Sequence, residues 1–379
     1  MQLCCKFIKI LLPVLIYQIA ITLIPGIGDI NAKKIIAYCG SPEAVFKEKK
    51  QKLLKISGIG EILAETIIQS RDIALKRAES EIEFIQKHNI KTFFYLNDDY
   101  PVHLKDCPDS PVNLYYKGNA SLNNNKIISI IGTRNASEYG KDVCKNIIKG
   151  FSSLNVLILS GLAFGIDVCA HKAALENNLS TIGVLAHGLD RIYPAQHKPF
   201  ARQMVESNGG LLTEYISGTI PDRENFPCRN RIVAGMAHAT LVIESAKKGG
   251  ALITAEIANS YNKDVFAIPG RIGDKYSEGC HYLIKNNKAA MVESAEDIIQ
   301  MMGWETSEHS NKNKQKKIFI ELSADEEKIV NILKEQGESS IDYLCSQSSL
   351  SMSKTASALL NLEFEGIVKN LPGKLYKLI

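Results

Sequence analysis

Seven short segments of this 379-residue chain place glycines, arginines and lysines where a backbone and its cations could hold phosphate. Gly132-Thr133-Arg134 follows the apolar run 127–131. Ser160-Gly161 and Gly165-Ile-Asp167 follow the run 156–160, and Ala186-His-Gly188 follows 181–186. Phe226-Pro-Cys-Arg229-Asn230-Arg231 opens a helical pattern. Lys247-Lys248-Gly249-Gly250-Ala-Leu-Ile-Thr254 follows 240–245, and Pro269-Gly-Arg271 follows 264–268. Small residues at a strand exit let a ligand approach the backbone, and the free N–H groups of a helix start attract anions. Basic groups beside the flat ring of Phe226, with Tyr139 and Phe164 in neighbouring loops, suit single-stranded nucleic acid, whose bases can stack. Plainer roles exist for several of these residues. Phe226 could be core, Asp167 could cap its helix, and His171 could be packing.

The elements that must carry these loops alternate regularly. Strand-like apolar runs at 127–131, 156–160, 181–186, 211–215, 240–245, 264–268 and 289–292 are separated by helical patterns such as 138–152, 167–177, 197–207 and 251–262. This alternation predicts an α/β fold with a Rossmann-like, doubly wound, mostly parallel sheet. Ligands of such sheets bind at the carboxyl ends of the strands, near the topological switch point. Upstream, residues 93–101 and 109–116 read as two further strands with turns.

An internal repeat precedes the sheet. Residues 24–36, with Ile24-Pro-Gly26-Ile-Gly28-Asp29, align with 56–68, with Ile56-Ser-Gly58-Ile-Gly60-Glu61. The offset is 32 residues, and each copy reads as a helix, a Gly-x-Gly turn and a second helix. The pattern looks like a helix-hairpin-helix (SAM-like) module, a device that grips phosphates or simply packs helices. Glu61 and Glu65 oppose phosphate in the second copy. After the sheet, residues 304–317 form a polar, basic linker. Helical patterns at 323–336, 339–346 and 351–365, then two short strands around Pro372-Gly373, outline a winged helix. The expected division is therefore 1–80 helical, 81–303 Rossmann-like, 304–317 linker and 318–379 winged-helix-like.

Charge distinguishes these parts. The net charge is +4, with 12 Lys/Arg against 7 Asp/Glu in residues 1–80, 23 against 23 in 81–303, and 6 against 9 in 318–379. A basic cluster in the neutral middle domain would thus be local. The acidic tail opposes a polyanion and reads as a protein-contact or dimerisation module. The nine cysteines show no C-x-x-C, and no histidine falls at metal-ligand spacing, so no metal is expected and the thiols read as reduced in a cytoplasmic protein. The apolar run Ile10 to Ile24 contains Pro13 and Gln18 and is too short to span a bilayer. It reads as a buried helix with residues 1–12 an extension, so no membrane role is expected. No P-loop, dinucleotide fingerprint or nucleophile elbow occurs. Neither a catalytic residue nor a cofactor is therefore expected, and the constellation favours binding.

Together, Gly132-Thr-Arg134 with Ser137, Ser160-Gly-Leu-Ala-Phe-Gly-Ile-Asp167 with Ala170-His-Lys-Ala-Ala-Leu175, Phe226-Pro-Cys-Arg229-Asn-Arg231-Ile-Val-Ala-Gly235, Gly249-Gly-Ala-Leu-Ile-Thr-Ala255 and Asp264-Val-Phe-Ala-Ile-Pro-Gly270 resemble the DNA-processing protein A (DprA/Smf) family. The resemblance covers about nine-tenths of the chain. It implies a recombination mediator that binds and protects incoming single-stranded DNA during natural transformation, loads RecA recombinase onto it, and forms a homodimer through the Rossmann-like domain. By position it implies strand contacts at Arg134, Phe226, Arg229, Asn230 and Arg231. It implies phosphate contacts at Lys247, Lys248, Gly249 and Gly250, and supporting roles for Gly132, Thr133, Ser160, Gly161, Gly165, Asp167 and Thr254. The chain departs from the family in having Gly-Gly after two lysines at 249–250. A competing reading takes Gly249-Gly-Ala-Leu-Ile-Thr254-Ala-Glu256 as similar to the loop of nucleotide phosphoribohydrolases of the lysine-decarboxylase-like fold, with Glu256 as acid and Arg134 as phosphate clamp.

Overall fold

The computed structural model describes residues 14–304, 322–365, 367–371 and 375–378. Residues 1–12, the linker from 305 to 317 and the Pro372-Gly373 turn lie outside them. The chain up to Trp304 is one compact unit, and the chain from Glu305 onward is a second.

A nine-stranded sheet organises the first unit among its described residues. Its strands are β1 Lys91–Phe94, β2 Asn113–Gly118, β3 Ile127–Ile131, β4 Leu157–Ser160, β5 Thr181–Val184, β6 Gly210–Thr213, β7 Ala239–Val242, β8 Asp264–Ala267 and β9 Ala290–Met291. Their spatial order is β1-β2-β6-β5-β4-β3-β7-β8-β9. From β6 to β9 every pairing is parallel; β1 and β2 extend the β6 edge as an antiparallel hairpin. The central strands are buried along their whole length because both faces are covered. Alternation then divides them. Ile127, Ile131, Leu157 and Leu159 join one core, and Ile128, Ile130, Val156 and Ile158 the other.

The helices divide between the same two faces. Glu138–Gly150 and Ile166–Glu176 supply Cys144, Ile147, Cys169 and Ala170 to the second core. Asn225–Met236 and Gly250–Ser260 supply Ile232, Val233, Leu252 and Ala255 to the first. Strand β3 has β4 on one side and β7 on the other. The chain leaves β3 toward one face and β7 toward the other, so a crevice opens between their carboxyl ends.

The sequence repeat is a structural repeat. Gly26 and Gly58 both have positive φ, 77° and 90°. Gly28 and Gly60 both precede helices in extended conformation, at φ −85° and −84°. The Ile27 N–H donates to the Ile24 carbonyl at 3.2 Å, and the Ile59 N–H to the Ile56 carbonyl at 3.0 Å. The helices that follow differ greatly. Asp29–Cys39 has 11 residues, whereas Glu61–His88 has 28 and continues through residue 80, where the sequence reading drew a boundary.

That long helix and the first turn fasten the helical part to the sheet. Asp29 accepts the Val112 N–H at 2.7 Å, and Lys33 donates to the Ser110 hydroxyl at 2.6 Å. Arg231 binds Asp29 at 3.0 Å, and also the Glu214 carboxylate and the Asp109 carbonyl. Farther along, buried Glu81 pairs with Arg77 at 3.0 Å and accepts the Ser217 N–H at 2.9 Å. The first Gly-x-Gly turn is thus committed to the sheet domain; the second, with Glu61 and Ile62 exposed, faces solvent.

The second unit holds helices Ala324–Gln336, Ile341–Ser348 and Met352–Phe364 with strands β10 Glu338–Ser340, β11 Val368–Leu371 and β12 Leu375–Leu378. The strands pair antiparallel in the order β10-β12-β11, and Ile329, Leu333, Leu344, Leu359 and Leu362 form the core. This is a winged helix. Strand β10 escaped the sequence reading because Glu338-Ser-Ser carries no apolar residue; its pairing with β12 creates it.

The Arg231 ion cluster yields two predictions. Arg231→Ala leaves Asp29 and Glu214 unpaired in the junction, so it should cost about 3–5 kcal/mol in denaturant unfolding and free the helical part for limited proteolysis. Burial raises the Glu214 pKa to about 7, against the pull of Arg231. A carboxyl with a raised folded pKa favours folding below its ordinary value near 4.5, and that contribution is lost as pH rises through 7. Melting temperatures of wild type and Glu214→Gln should therefore diverge in favour of wild type as pH falls from 7 toward 4.5.

Candidate nucleic-acid interface

The crevice between β3 and β7 widens into a cavity of about 830 Å³. Gly132, Thr133 and Arg134 line it from the β3 exit, Gly161 and Asp167 from the β4 exit, and Ser245, Gly249, Gly250 and Thr254 from the β7 exit. Helix Asn225–Met236 contributes Phe226, Arg229 and Asn230. The sequence reading named all of these except Ser245.

Three constraints fix the floor. Buried Glu244, just past β7, accepts the Ser137 N–H at 2.9 Å and the Ser137 hydroxyl as well. The same hydroxyl accepts the Gly140 N–H at 3.0 Å, capping helix Glu138–Gly150. The Glu244 carbonyl also takes the Thr133 N–H at 2.8 Å. The loop carrying Arg134 is therefore tied to the neighbouring strand. Next, Gly165 has φ 79°, and a Cβ there would collide with the carbonyl oxygens of Thr133 and Arg134. Only glycine meets both conditions. Last, Asp167 accepts the Gly161 N–H at 3.1 Å and the Ala163 N–H at 3.4 Å, folding the β4 exit over the helix start.

Arg229 lies beneath this floor. Its guanidinium donates to the Gly161 carbonyl at 2.5 Å and to the Val184 carbonyl, and its Nε donates to Asn230 at 3.1 Å. Burial raises the Asp167 pKa and lowers that of Arg229, and each partner's charge opposes the other's shift. Arg229 is only 4% exposed, so it positions the loop and supplies a field from below.

Arg231 is a correction. The resemblance implies a strand contact there, but its side chain points into the Asp29–Glu214 cluster and is absent from the cavity lining. Two positions along a helix turn a side chain by about 200°, so Arg229 and Arg231 cannot face one cavity. Ser160 is likewise buried, donating to the Ile130 carbonyl at 2.6 Å beneath the surface. Lys247 and Lys248 are exposed between the lining residues Ala246 and Gly249 but do not line the cavity themselves. Thr254 lines it while donating to the Gly250 carbonyl at 3.3 Å. Of the neighbouring aromatics, Tyr139 bonds the Pro269 carbonyl at 3.1 Å and Phe164 packs edge-on against His197; neither lines the cavity. His171 is fully buried against Thr181, and burial lowers its pKa to about 3, so it is neutral. Glu256 pairs with Lys288 at 3.0 Å outside the cavity, which removes the acid required by the phosphoribohydrolase reading.

The mouth is cationic and aromatic. Arg134 is exposed and lies over the half-buried Phe226 ring, 5.3 Å from its centroid. Tyr193 and Arg223, which the sequence reading missed, also line it. Tyr193 lies five residues past Gly188 and Arg223 five past Gly218, too far along their loops for glycine spacing to mark them. Among the described lining residues, Arg134, Arg223 and Arg229 face a single carboxylate, Asp167. No group of three His, Cys, Asp or Glu among the described residues could hold a metal ion, and no described helix is long and apolar enough to cross a membrane.

A mostly parallel sheet with an arginine-lined, ring-bearing crevice at its switch point defines a Rossmann-like α/β protein with an appended winged helix. Residues 91–303 match the family model described as DNA recombination-mediator protein A, and residues 320–374 match the DprA winged helix domain. The chain is 34% identical to DNA processing protein DprA of Streptococcus pneumoniae, across 67% of this chain and 96% of that one. It is also 34% identical to protein Smf of Synechocystis, across 76% and 72%. The X-ray structure of the pneumococcal protein superposes with a TM-score of 0.64 over 75% of this chain and 97% of that one. A DNA processing protein A structure from Helicobacter pylori, described for its single-stranded DNA binding mode, gives 0.51 at 26% identity over 57% and 96%. The chain belongs to the DNA processing protein A (DprA/Smf) family.

The floor geometry predicts unequal glycine substitutions. Gly165→Ala meets two carbonyls, whereas Gly218→Ala, at φ 84°, meets open space. The second should cost about 1 kcal/mol from backbone strain alone, and the first clearly more, as compared by denaturant unfolding.

Proposed function

We propose that this chain binds single-stranded DNA in the cavity at the β3–β7 switch point and acts there as a recombination mediator. The observation that carries this reading is the composition of the cavity mouth. Arginines stand beside aromatic rings that remain partly open. Arginines and glycine-loop N–H groups suit a phosphodiester backbone, and open rings suit bases freed from a duplex. Arg134 and Arg223 take phosphates at the mouth, and Lys247 and Lys248 extend the positive field beside it. Arg229 and Asp167 hold the floor. Gly132, Thr133, Gly161, Gly249, Gly250, Asn230 and Thr254 shape the walls.

The family relationship supports delivery of the bound strand to RecA in the cytoplasm, protection of the strand from nucleases, and a homodimer through the Rossmann-like domain. The acidic charge of residues 318–379 supports a protein-contact role for the winged helix.

Fluorescent oligo-dT and a matched duplex, titrated across a salt series, test the reading. Wild type should prefer the single strand with a steep salt dependence. Arg134→Ala should bind more weakly, with a salt slope shallower by about 0.7 if it releases one phosphate contact. Equal affinity for both nucleic acids, or an unchanged slope in Arg134→Ala, would overturn it.

A further inference from the structure

Of the two rings on the cavity lip, Phe226 is already engaged. It is half-buried, and the Arg134 guanidinium covers it at 5.3 Å. Tyr193 is the open one. Its relative exposure is 49%, and its centroid stands 6.0 Å from that of Phe226 at an interplanar angle of 49°.

The loop that presents Tyr193 is built in. Buried His187 accepts the Tyr193 N–H through Nε2 at 3.2 Å and donates from Nδ1 to the Gly188 carbonyl at 2.9 Å. These two bonds require the neutral imidazole, and burial lowers its pKa accordingly. Asp190 accepts the Gly218 N–H at 2.9 Å and pairs with Arg191 at 2.7 Å, pinning the middle of the loop. A half-exposed tyrosine on a fixed loop loses little rotamer freedom when a flat partner settles on it.

We propose that Tyr193 is the base-stacking residue of this cavity, so that the site engages a base on the tyrosine while Arg134, resting on Phe226, meets the backbone. This rests on the single-strand reading and adds which ring meets the base. It also makes the site selective for strands that carry bases over a bare sugar-phosphate polyanion.

The test compares oligo-dT with a strand of equal length whose residues are abasic tetrahydrofuran phosphates. Wild type, Tyr193→Ala and Tyr193→Phe are titrated as full-length protein. Wild type should bind oligo-dT more tightly than the abasic strand. Tyr193→Ala should lose roughly 5- to 150-fold on oligo-dT and leave the abasic affinity unchanged. Tyr193→Phe should keep the wild-type preference, showing that the ring rather than the hydroxyl acts. An equal loss on both strands in Tyr193→Ala, or no loss on either, would overturn the assignment while leaving single-strand binding intact. Failure of wild type to bind either strand would overturn the single-strand reading and this inference with it.

Discussion

The cavity depends on one buried cation. The Arg229 guanidinium takes carbonyls from the exits of two adjacent strands, Gly161 after β4 and Val184 at the end of β5. Asp167 balances its charge and holds the backbone of the same loop. A buried guanidinium is costly unless its donors and its charge are satisfied. Gly161 is part of that solution, because a Cβ there would enter the guanidinium. The glycine, the acid and the arginine therefore form a single unit, and the open mouth above them exists because the floor is closed.

A second arginine, one half-turn away, does different work. Arg231 leaves the same helix on the side opposite Arg229 and reaches the first helical hairpin through Asp29 and the end of strand β6 through Glu214. One helix thus supports the cavity and anchors the helical part. Asp29 is the acidic residue of the first Gly-x-Gly copy, and its counterpart Glu61 is exposed. The two copies share a backbone, but docking makes one of them structural and leaves the other at the surface.

Electrostatics follows from this arrangement. The sheet domain is neutral in total, with 23 Lys/Arg and 23 Asp/Glu across 81–303, yet its described cavity lining holds three arginines against one carboxylate. Some acids elsewhere are committed to lysines or loops, as Glu256 is to Lys288 and Glu244 to Ser137. A focused field in a crevice attracts a phosphate chain without making the whole protein basic.

The sequence alone determined the mostly parallel sheet, the helical repeat, the winged-helix outline and half of the cavity lining. Each of these rests on local periodicity or on glycines that a turn requires, and both are written in residue order. Tertiary structure decided which charged and aromatic side chains reach the ligand. Ser160 and Arg231 carried the right chemistry at the right spacing but turn inward, one to a strand carbonyl and the other to the helical hairpin. Tyr193 and Arg223 gave no local signal and were brought to the mouth by loops whose course depends on distant partners such as His187. Helix Glu61–His88 crosses the boundary that composition indicated, because its later turns bury Ala74, Ala78, Glu81 and Ile82 in the junction with the sheet domain. A periodic pattern reports which face of an element is apolar; only the packed partners determine what that face, and the polar residues beside it, will meet.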